Sequence, residues 1–467
     1  MNTSDNFALN QIKQAYMVLA ESSTASKYSI LYNAVKQCIT AMELPHQWLV
    51  PSTRVLSKEL EISRTTVIRA YELLSLEKLI TAKKGSGYRI NNKPVEEIEK
   101  NIKKVVAVAT TYPEISSKGA SYLANTSLIN RLPDNHIAFR PGLPPLDVFP
   151  VNQWKKLLNN YWRYVKASGL SYSKSTGLIE LKKSVATYLK VSRNIKVSPH
   201  QIVIVSGSLQ SLYLIANTLI NPGDGVVLEN PVFPNVHSVF KSSQATIIPL
   251  GIDKEGLAIQ DFDSKANKSP KLVHVTPSNQ YPLGAKMSLQ RRKEILNFAS
   301  AQQALVIEND YENEIANVEL GIPSIFNLDQ EDRTIYMGTF NRLLHPSIRL
   351  GYMIVPQYLI NAVEALQEHS HRFVSPSIQV VMNQFIEKNY LYQHIENCIE
   401  AARERRTIFI NEFNQISRKL HIPETPFASF HLIAYFTSPV SVEEEQSNIV
   451  SSCNLSRSFK YFHLSFV

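Results

Sequence analysis

Between residues 202 and 355 seven short apolar runs recur: IVIVS (202–206), GVVLE (225–229), ATIIPL (245–250), KLVHVT (271–276), ALVIE (304–308), TIYMGT (334–339) and LGYMIV (350–355). Each is five or six residues long and rich in β-branched side chains. Helical stretches lie between several of them, so most neighbours cannot be joined as hairpins. That rhythm predicts a largely parallel α/β sheet. The pattern occupies only the C-terminal part of the chain, beyond about Asn135.

At 467 residues the chain is long enough for two domains, or for one large domain with an appendage. Hydrophobic residues make up 44%, which suffices for full cores, and no run of about 18 apolar residues predicts a membrane-spanning helix. The N-terminal stretch MNTSDNFALNQIKQ lacks the charged-then-apolar layout of a secretory leader. Cys38, Cys398 and Cys453 match no zinc or disulfide spacing and read as thiols in a reducing cytoplasm; no metal site is expected.

Net charge is +9, and it is unevenly spread. Residues 27–91 hold ten Lys or Arg against five Asp or Glu, a local excess of +5 that suits a phosphate-rich partner. Within this segment, Ile30, Leu31, Ala34, Val35 and Ile39 recur at helical spacing over residues 28–42. Ser52 then stands as an N-cap before TRVLSKELE, whose apolar face is Val55, Leu56 and Leu60. After Glu61 and Ile62 comes a second N-cap, Ser63, opening RTTVIRAYELLSLEKL. A short helix, a tight turn and a longer helix make a helix-turn-helix. Val67, Ala70, Tyr71 and Leu74 face inward, leaving Arg64, Thr65, Thr66 and Arg69 to reach base edges and phosphates from the helix start. ITAKKGSGYRI follows as two short strands around a Gly-Ser-Gly tip, with Lys83 and Lys84 placed to lie along a DNA backbone.

The run from Val50 to Ile90, VPSTRVLSKELEISRTTVIRAYELLSLEKLITAKKGSGYRI, resembles the winged helix-turn-helix of GntR-type bacterial regulators. Their pattern is L-P-S-x-R-x-L-A-x-x-L-x-V-S-R-x-T-V-x-x-A-Y-x-x-L with a G-x-G wing. The resemblance gives DNA-contact roles to Arg54, Arg64, Thr66, Arg69, Gly85, Ser86 and Gly87, and Ser63, Thr65, Lys83 and Lys84 complete the expected DNA-binding set. His46-Gln47-Trp48 departs from the usual Pro-Gly-x, and Tyr88-Arg89 replaces Thr-Phe, with Arg89 available as an added contact. From residue 92 to 127 the composition turns to Lys, Glu, Ala, Ser and Thr, the signature of a tether, with room for a helical turn in VEEIEKNIKKVV.

In the C-terminal part, several loops at strand ends carry chemistry. Gly207-Ser208-Leu209 follows a strand and opens a helix, where backbone N–H groups can hold a phosphate. Phe233 can stack on a flat ring. Together with FRPGLPPLDVFP (139–150), YSKSTG (172–177), TPSNQYPLG (276–284), ENDY (308–311) and GTFNRLLHPSIRLGY (338–352), these resemble aminotransferase fold type I in order and spacing. The whole chain is similar to the MocR subgroup of GntR regulators. The expected fold is an N-terminal winged helix-turn-helix (α+β) at 27–91, a linker at 92–127, and an α/β three-layer aminotransferase fold type I domain at 128–467.

That resemblance assigns Gly207, Ser208 and Leu209 to a phosphate loop and Arg349 to the phosphate-binding arginine. Tyr172 takes the place of a tyrosine that reaches the phosphate in a partner subunit. Phe233 is the stacking aromatic, Tyr311 the tyrosine that meets the cofactor's phenolic oxygen, and Asn279 lies in the same pocket. The departures fall on the chemistry. Arg342 stands where the family has its Schiff-base lysine, Asn341 where a serine precedes it, and Asn309 where an aspartate pairs with the ring nitrogen. His463 stands where many members bind a substrate carboxylate with arginine. A guanidinium cannot supply a nucleophilic amine, and a neutral amide cannot stabilise a pyridinium.

The resulting expectation is a non-catalytic regulator that binds a double-stranded DNA operator as a homodimer and senses a small-molecule effector. Pyridoxal 5'-phosphate would be held without a covalent bond, or not at all. The location expected is the bacterial cytoplasm, at the nucleoid when DNA is bound, with no membrane partner. Two alternatives remain open at this level: a working pyridoxal-phosphate aminotransferase with a DNA-binding arm, and a regulator whose C-terminal domain is only a dimerisation scaffold.

Overall fold

A computed structural model describes residues 3–22, 25–41, 44, 46–83, 87–91, 113–126, 143–265, 268–316, 321–416, 420–423, 429–437 and 461–465, with the backbone alone at 3–6, 22, 83, 316, 416 and 461–465. Residues 1–114 and 115–467 form two compact units.

The first unit comprises helices α1 (Thr3–Ser22), α2 (Lys27–Thr40), α3 (Thr53–Glu59) and α4 (Arg64–Leu76), then strands β1 (Ile80–Lys83) and β2 (Gly87–Ile90). Both serine caps form. The Ser52 hydroxyl accepts from the Val55 amide at 3.3 Å and the Ser63 hydroxyl from the Thr66 amide at 3.1 Å, each satisfying an orphan donor of the first turn. Glu61, at φ +52, makes the turn between α3 and α4. The inward face of α4, Val67, Ala70, Tyr71 and Leu74, is fully buried against Ile30, Leu31 and Val35 of α2. Tyr71 donates its buried hydroxyl to the Pro51 carbonyl at 2.7 Å, tying α4 to the segment before α3. β1 and β2 pair antiparallel, Lys83 opposite Gly87, as a wing requires.

The sequence pattern assigns no element before residue 28, yet α1 is part of this core. Its Ala8, Leu9, Ile12 and Tyr16 are buried together with α2. These positions repeat at helical spacing, but their weak apolar contrast becomes meaningful only when α2 supplies the surface they cover.

In the second unit the seven apolar runs become seven strands of one sheet: β3 (Ile202–Val205), β4 (Gly225–Glu229), β5 (Thr246–Leu250), β8 (Pro270–Val275), β9 (Leu305–Asn309), β10 (Thr334–Thr339) and β11 (Gly351–Ile354). A small hairpin, β6 (Ile252–Asp253) with β7 (Gly256–Leu257), follows β5. The sheet order is β3-β11-β10-β9-β8-β4-β5. All described pairs are parallel except those of β11, which runs antiparallel to both β10 and β3. Alternate strand residues divide between two helical layers. Ile202, Ile204, Tyr336 and Tyr352 pack with helices Val151–Tyr164, Ile179–Arg193 and Pro376–Glu387, whereas Val203, Val205, Ile335 and Met337 pack with helices Ser208–Leu219, Pro234–Ser242 and Ile360–Ser370. The result is a three-layer α/β/α domain. A second antiparallel sheet joins β12 (Leu420–His421), β13 (His431–Phe436) and β14 (Tyr461–Ser465).

The expected linker over 92–127 is corrected at its end. The second unit begins at Ile115 rather than 128. Helix Ser117–Ala124 is capped by Ser116 and held on helix Pro234–Ser242, Ser121 donating to the Lys241 carbonyl and Ser238 to that of Asn125. A Ser- and Ala-rich composition reads as a tether because its packing partner lies over a hundred positions away, beyond the reach of a local pattern. The helical turn considered in VEEIEKNIKKVV lies outside the described residues.

Ile12→Ala tests the place of α1 in the first core. Loss of this buried side chain should cost that unit about 2–4 kcal/mol. Hydrogen exchange should show earlier opening of α1, α2 and α4, with protection of β9 and β10 unchanged.

Candidate functional site

On the first unit, α4 presents Arg64, Thr65 and Arg69 to solvent, Thr66 is half-buried, and Arg54 is exposed on α3. The hydroxyls of Thr65 and Thr66 each lie 2.7 Å from that of Ser63, so the helix start carries a bonded hydroxyl cluster. Arg64 Nε donates to Thr53 Oγ1 at 3.3 Å, which leans the side chain across the turn between α3 and α4. The Arg69 guanidinium lies 4.3 Å from the centre of the Tyr28 ring, a cation–π contact that orients it along the helix face. Arg89, an added contact by sequence, donates through Nη1 to the Gln47 carbonyl at 2.7 Å and holds the segment before α3. Lys84, Gly85 and Ser86 lie outside the described residues, and only the backbone of Lys83 is described.

On the second unit, the residues singled out by sequence, Tyr172 and His463 excepted, lie at or beyond the carboxyl ends of β3, β4, β8, β9 and β10 or precede β11, at the edge where open α/β sheets bind ligands. At one end stands the β3 turn. Gly207 has φ +126, and a Cβ there would come within 2.4 Å of Asn341 Nδ2, so only glycine fits. Helix Ser208–Leu219 starts immediately after it, and its first amides, those of Ser208 and Leu209, have no acceptor within the helix itself. Asn341 is a structural clamp: its Oδ1 accepts from the Leu350 amide at 2.9 Å and its Nδ2 reaches the Ser206 carbonyl at 3.4 Å. Arg349, in the left-handed region at φ +51, brings Nη2 to 3.5 Å from Ser206 Oγ. Ser206, Gln210, Arg349, His371, Phe373 and Ser375 line a cavity of about 290 Å³ beside this turn. Helix start, guanidinium and cavity together fit a phosphate.

The β9 end divides its residues by strand alternation. Glu308 and Asp310 turn into the core: Glu308 accepts from the Ile325 and Phe326 amides, and Asp310 pairs with Arg193 at 2.8 Å and accepts from Tyr336 at 2.8 Å. Asn309 lies with Nδ2 3.4 Å from Nε2 of His274 on the neighbouring strand β8. Burial pushes His274 down to about 3, so this floor carries no charge at neutral pH. Asn309 Oδ1 and His274 Nδ1 have no hydrogen-bond partner among the described residues.

Tyr311 donates its hydroxyl to the Asn279 carbonyl at 2.9 Å. The Arg342 guanidinium lies 5.1 Å from the centre of the Tyr311 ring and forms an ion pair with Glu312. Glu312 is buried, and its other oxygen accepts from Asn279 Nδ2 at 2.9 Å and Ser429 Oγ at 2.7 Å. Burial opposes the charge of Arg342, but the Glu312 carboxylate together with the Tyr311 and Tyr281 hydroxyls outweighs it and holds the guanidinium above its ordinary value. Phe233 meets Tyr281 edge-on at 4.9 Å, and Tyr281 in turn lies 5.4 Å from His431. Tyr172 stands apart, exposed beside Arg372, whose guanidinium is 4.8 Å from its ring centre. His463 pairs through its backbone with Ile433 of β13, and its side chain lies outside what is described.

Glu312, Ser429 and His274 carry no local signal. Glu312 adjoins ENDY in sequence, but its importance lies in partners from three other segments.

Pyridoxal phosphate meets this site unevenly. The Gly207 turn and Arg349 suit its phosphate, while the neutral Asn309–His274 floor and the guanidinium at 342 do not suit a covalently held, ring-protonated cofactor.

Residues 144–442 match the aminotransferase class I and II family, and residues 27–90 match bacterial regulatory proteins of the gntR family. The chain is 30% identical over 452 residues to the probable rhizopine catabolism regulatory protein MocR of Rhizobium meliloti, covering 96% of this chain and 90% of that protein. It is 27% identical over 359 residues to the pyridoxine biosynthesis transcriptional regulator PdxR of Corynebacterium glutamicum, covering 77% and 72% of the two. The fold is that of the α-aminoadipate aminotransferase of Thermus thermophilus, with a TM-score of 0.66 at 19% identity over 75% of this chain and 92% of that one. With a GntR helix-turn-helix joined to an aminotransferase class I and II domain, the chain belongs to the MocR kind of GntR transcriptional regulator.

Proposed function

We propose that this regulator binds its operator as a homodimer and uses the aminotransferase-like domain to sense a small phosphate-bearing ligand without covalent capture or transamination. The observation that carries this reading is the ion pair between Arg342 and buried Glu312. Transamination needs a neutral amine to attack an aldehyde and an electron sink at the ring nitrogen. Here the residue at the first position is a guanidinium engaged by a carboxylate, and the second position offers a neutral amide beside a neutral imidazole. The phosphate end keeps its donors, which supports anchoring by charge and N–H groups alone. A relative named for pyridoxine biosynthesis supports a ligand of the vitamin B6 class.

In this reading residues 27–91 contact DNA through the start of α4 and the wing, with Arg64 and Arg69 reading the groove and Lys83 and Lys84 positioning the backbone. Residues 128–467, with the preceding helix, form the effector domain. Tyr172, 78% exposed in the single chain, completes the pocket of the partner subunit. The protein acts in the bacterial cytoplasm, at the nucleoid when DNA is bound.

Arg64→Ala should weaken operator binding by about 1–3 kcal/mol while sparing random DNA. Lys84→Ala should weaken all sequences alike and reduce the slope of affinity against salt by about 1. Fluorescence anisotropy at several salt concentrations separates the two, and no preference of the wild type for any operator over random DNA would end the DNA-reading claim. After mixing with pyridoxal phosphate and borohydride, peptide mapping should find adducts on exposed lysines alone and none in the pocket, and amino acids should yield no transamination product. Sedimentation at micromolar concentration should give a dimer; a monomer there would remove the shared pocket.

A further inference from the structure

We propose that Glu312 is a second barrier to covalent capture of an aldehyde in this site, because its buried carboxylate holds any amine placed at position 342 as an ammonium. The proposal rests on the non-covalent reading above and adds a residue to it. The Glu312 side chain is 0% exposed. Its Oε1 receives Arg342, and its Oε2 receives Asn279 Nδ2 at 2.9 Å and Ser429 Oγ at 2.7 Å. All three partners aim N–H or O–H groups at it, the environment of an acceptor-only carboxylate. A carboxylate so enclosed is uncompensated once its cation leaves, so a cation at 342 is favoured whatever its chemistry.

Among the described residues, the other titratable groups around the pair do not compete for that role. Burial pushes the Tyr311 hydroxyl well above its ordinary value and that of Tyr281 to about 12, so both stay neutral. His431 is pushed down to about 3 by burial and by the Arg342 charge, and it is neutral too. Glu229, which faces Tyr311, is pushed up to about 7 by burial and is engaged by Thr276 at 3.0 and 2.6 Å. Among the described residues, Glu312 is therefore the anion that meets position 342 directly.

Capture by a lysine needs the nitrogen lone pair. The neutral amine attacks the aldehyde carbon, a carbon–nitrogen double bond forms as the carbon–oxygen bond breaks, and the oxygen leaves as water with both amine protons. An ammonium held by Glu312 has no lone pair to begin this. Reverting Arg342 to lysine, with Asn309 reverted to aspartate, therefore restores the named groups without restoring their reactivity at neutral pH.

The test uses full-length protein carrying Arg342→Lys with Asn309→Asp, the same pair plus Glu312→Gln, and the pair plus Glu312→Asp. Each is mixed with pyridoxal phosphate across a pH series, reduced with borohydride, digested and mapped for an adduct on residue 342, with circular dichroism as the check on folding. Glutamine keeps the length of the side chain and an acceptor for Asn279 and Ser429, so the comparison isolates charge. The double variant should be captured only in the alkaline range. Adding Glu312→Gln should lower the pH midpoint by about one unit or more, roughly tenfold more free amine at neutral pH, and Glu312→Asp should leave the midpoint high. Glu312→Ser provides the same comparison in a second background if the glutamine variant does not fold. Equal midpoints with and without the carboxylate, or no capture by any folded variant at any pH, would overturn the proposal. A borohydride-fixed adduct in the pocket of the wild type would instead overturn the non-covalent reading, and leaves the midpoint comparison intact.

Discussion

The site of the second unit depends on one buried ion pair. Arg193 and Asp310 meet at 2.8 Å with side chains 4% and 0% exposed, and Tyr336 adds its hydroxyl to the same carboxylate oxygen. Removing one partner of such a pair leaves a charge in the core and typically costs about 3–5 kcal/mol, although the pair as a whole adds little net stability. Its effect is geometric. Helix Ile179–Arg193, strand β10 and the end of β9 are fixed to one another by it. The turn that carries Asn309, Tyr311 and Glu312 is thereby set against the sheet edge.

Strand alternation then decides which neighbours in ENDYE are architecture and which are site. Glu308 caps a short helix and Asp310 holds the ion pair, so these two of the three carboxylates are consumed by the fold. Asn309 and Glu312 are left to define the chemistry. One gives a neutral floor with His274 and the other neutralises Arg342. The outcome is a pocket edge whose formal charges cancel near the ring position and whose cation–amide donors remain at the phosphate end. Such a distribution favours holding an anionic group over activating a carbonyl.

The helix-turn-helix is built on different physics. Its caps are local, with serine hydroxyls bonding amides three residues on, and its core is a small cluster closed by Tyr71 and α1. The Ser63 hydroxyl serves cap and cluster at once, since Thr65 and Thr66 both bond to it. Arg64 and Arg69 are steered by Thr53 and Tyr28 rather than left free, which restricts the rotamers open to both side chains.

Sequence alone determined whatever depends on neighbours a few positions apart. The seven strands, the two serine caps, the inward face of α4 and the glycine at the β3 turn were legible because periodicity, capping and φ preference are local. It also marked Arg342 and Asn309 as departures from a pattern, since a motif position needs no coordinates. Tertiary structure decided the rest. It recruited α1 and helix Ser117–Ala124 into cores whose partners are distant in the chain. It turned Arg89 from a free cation into a clamp on Gln47 and paired Arg342 with a carboxylate thirty residues upstream. The physical reason is that burial and charge pairing act through space: which side chains share an enclosed, low-dielectric volume is fixed only when the strands have been laid side by side.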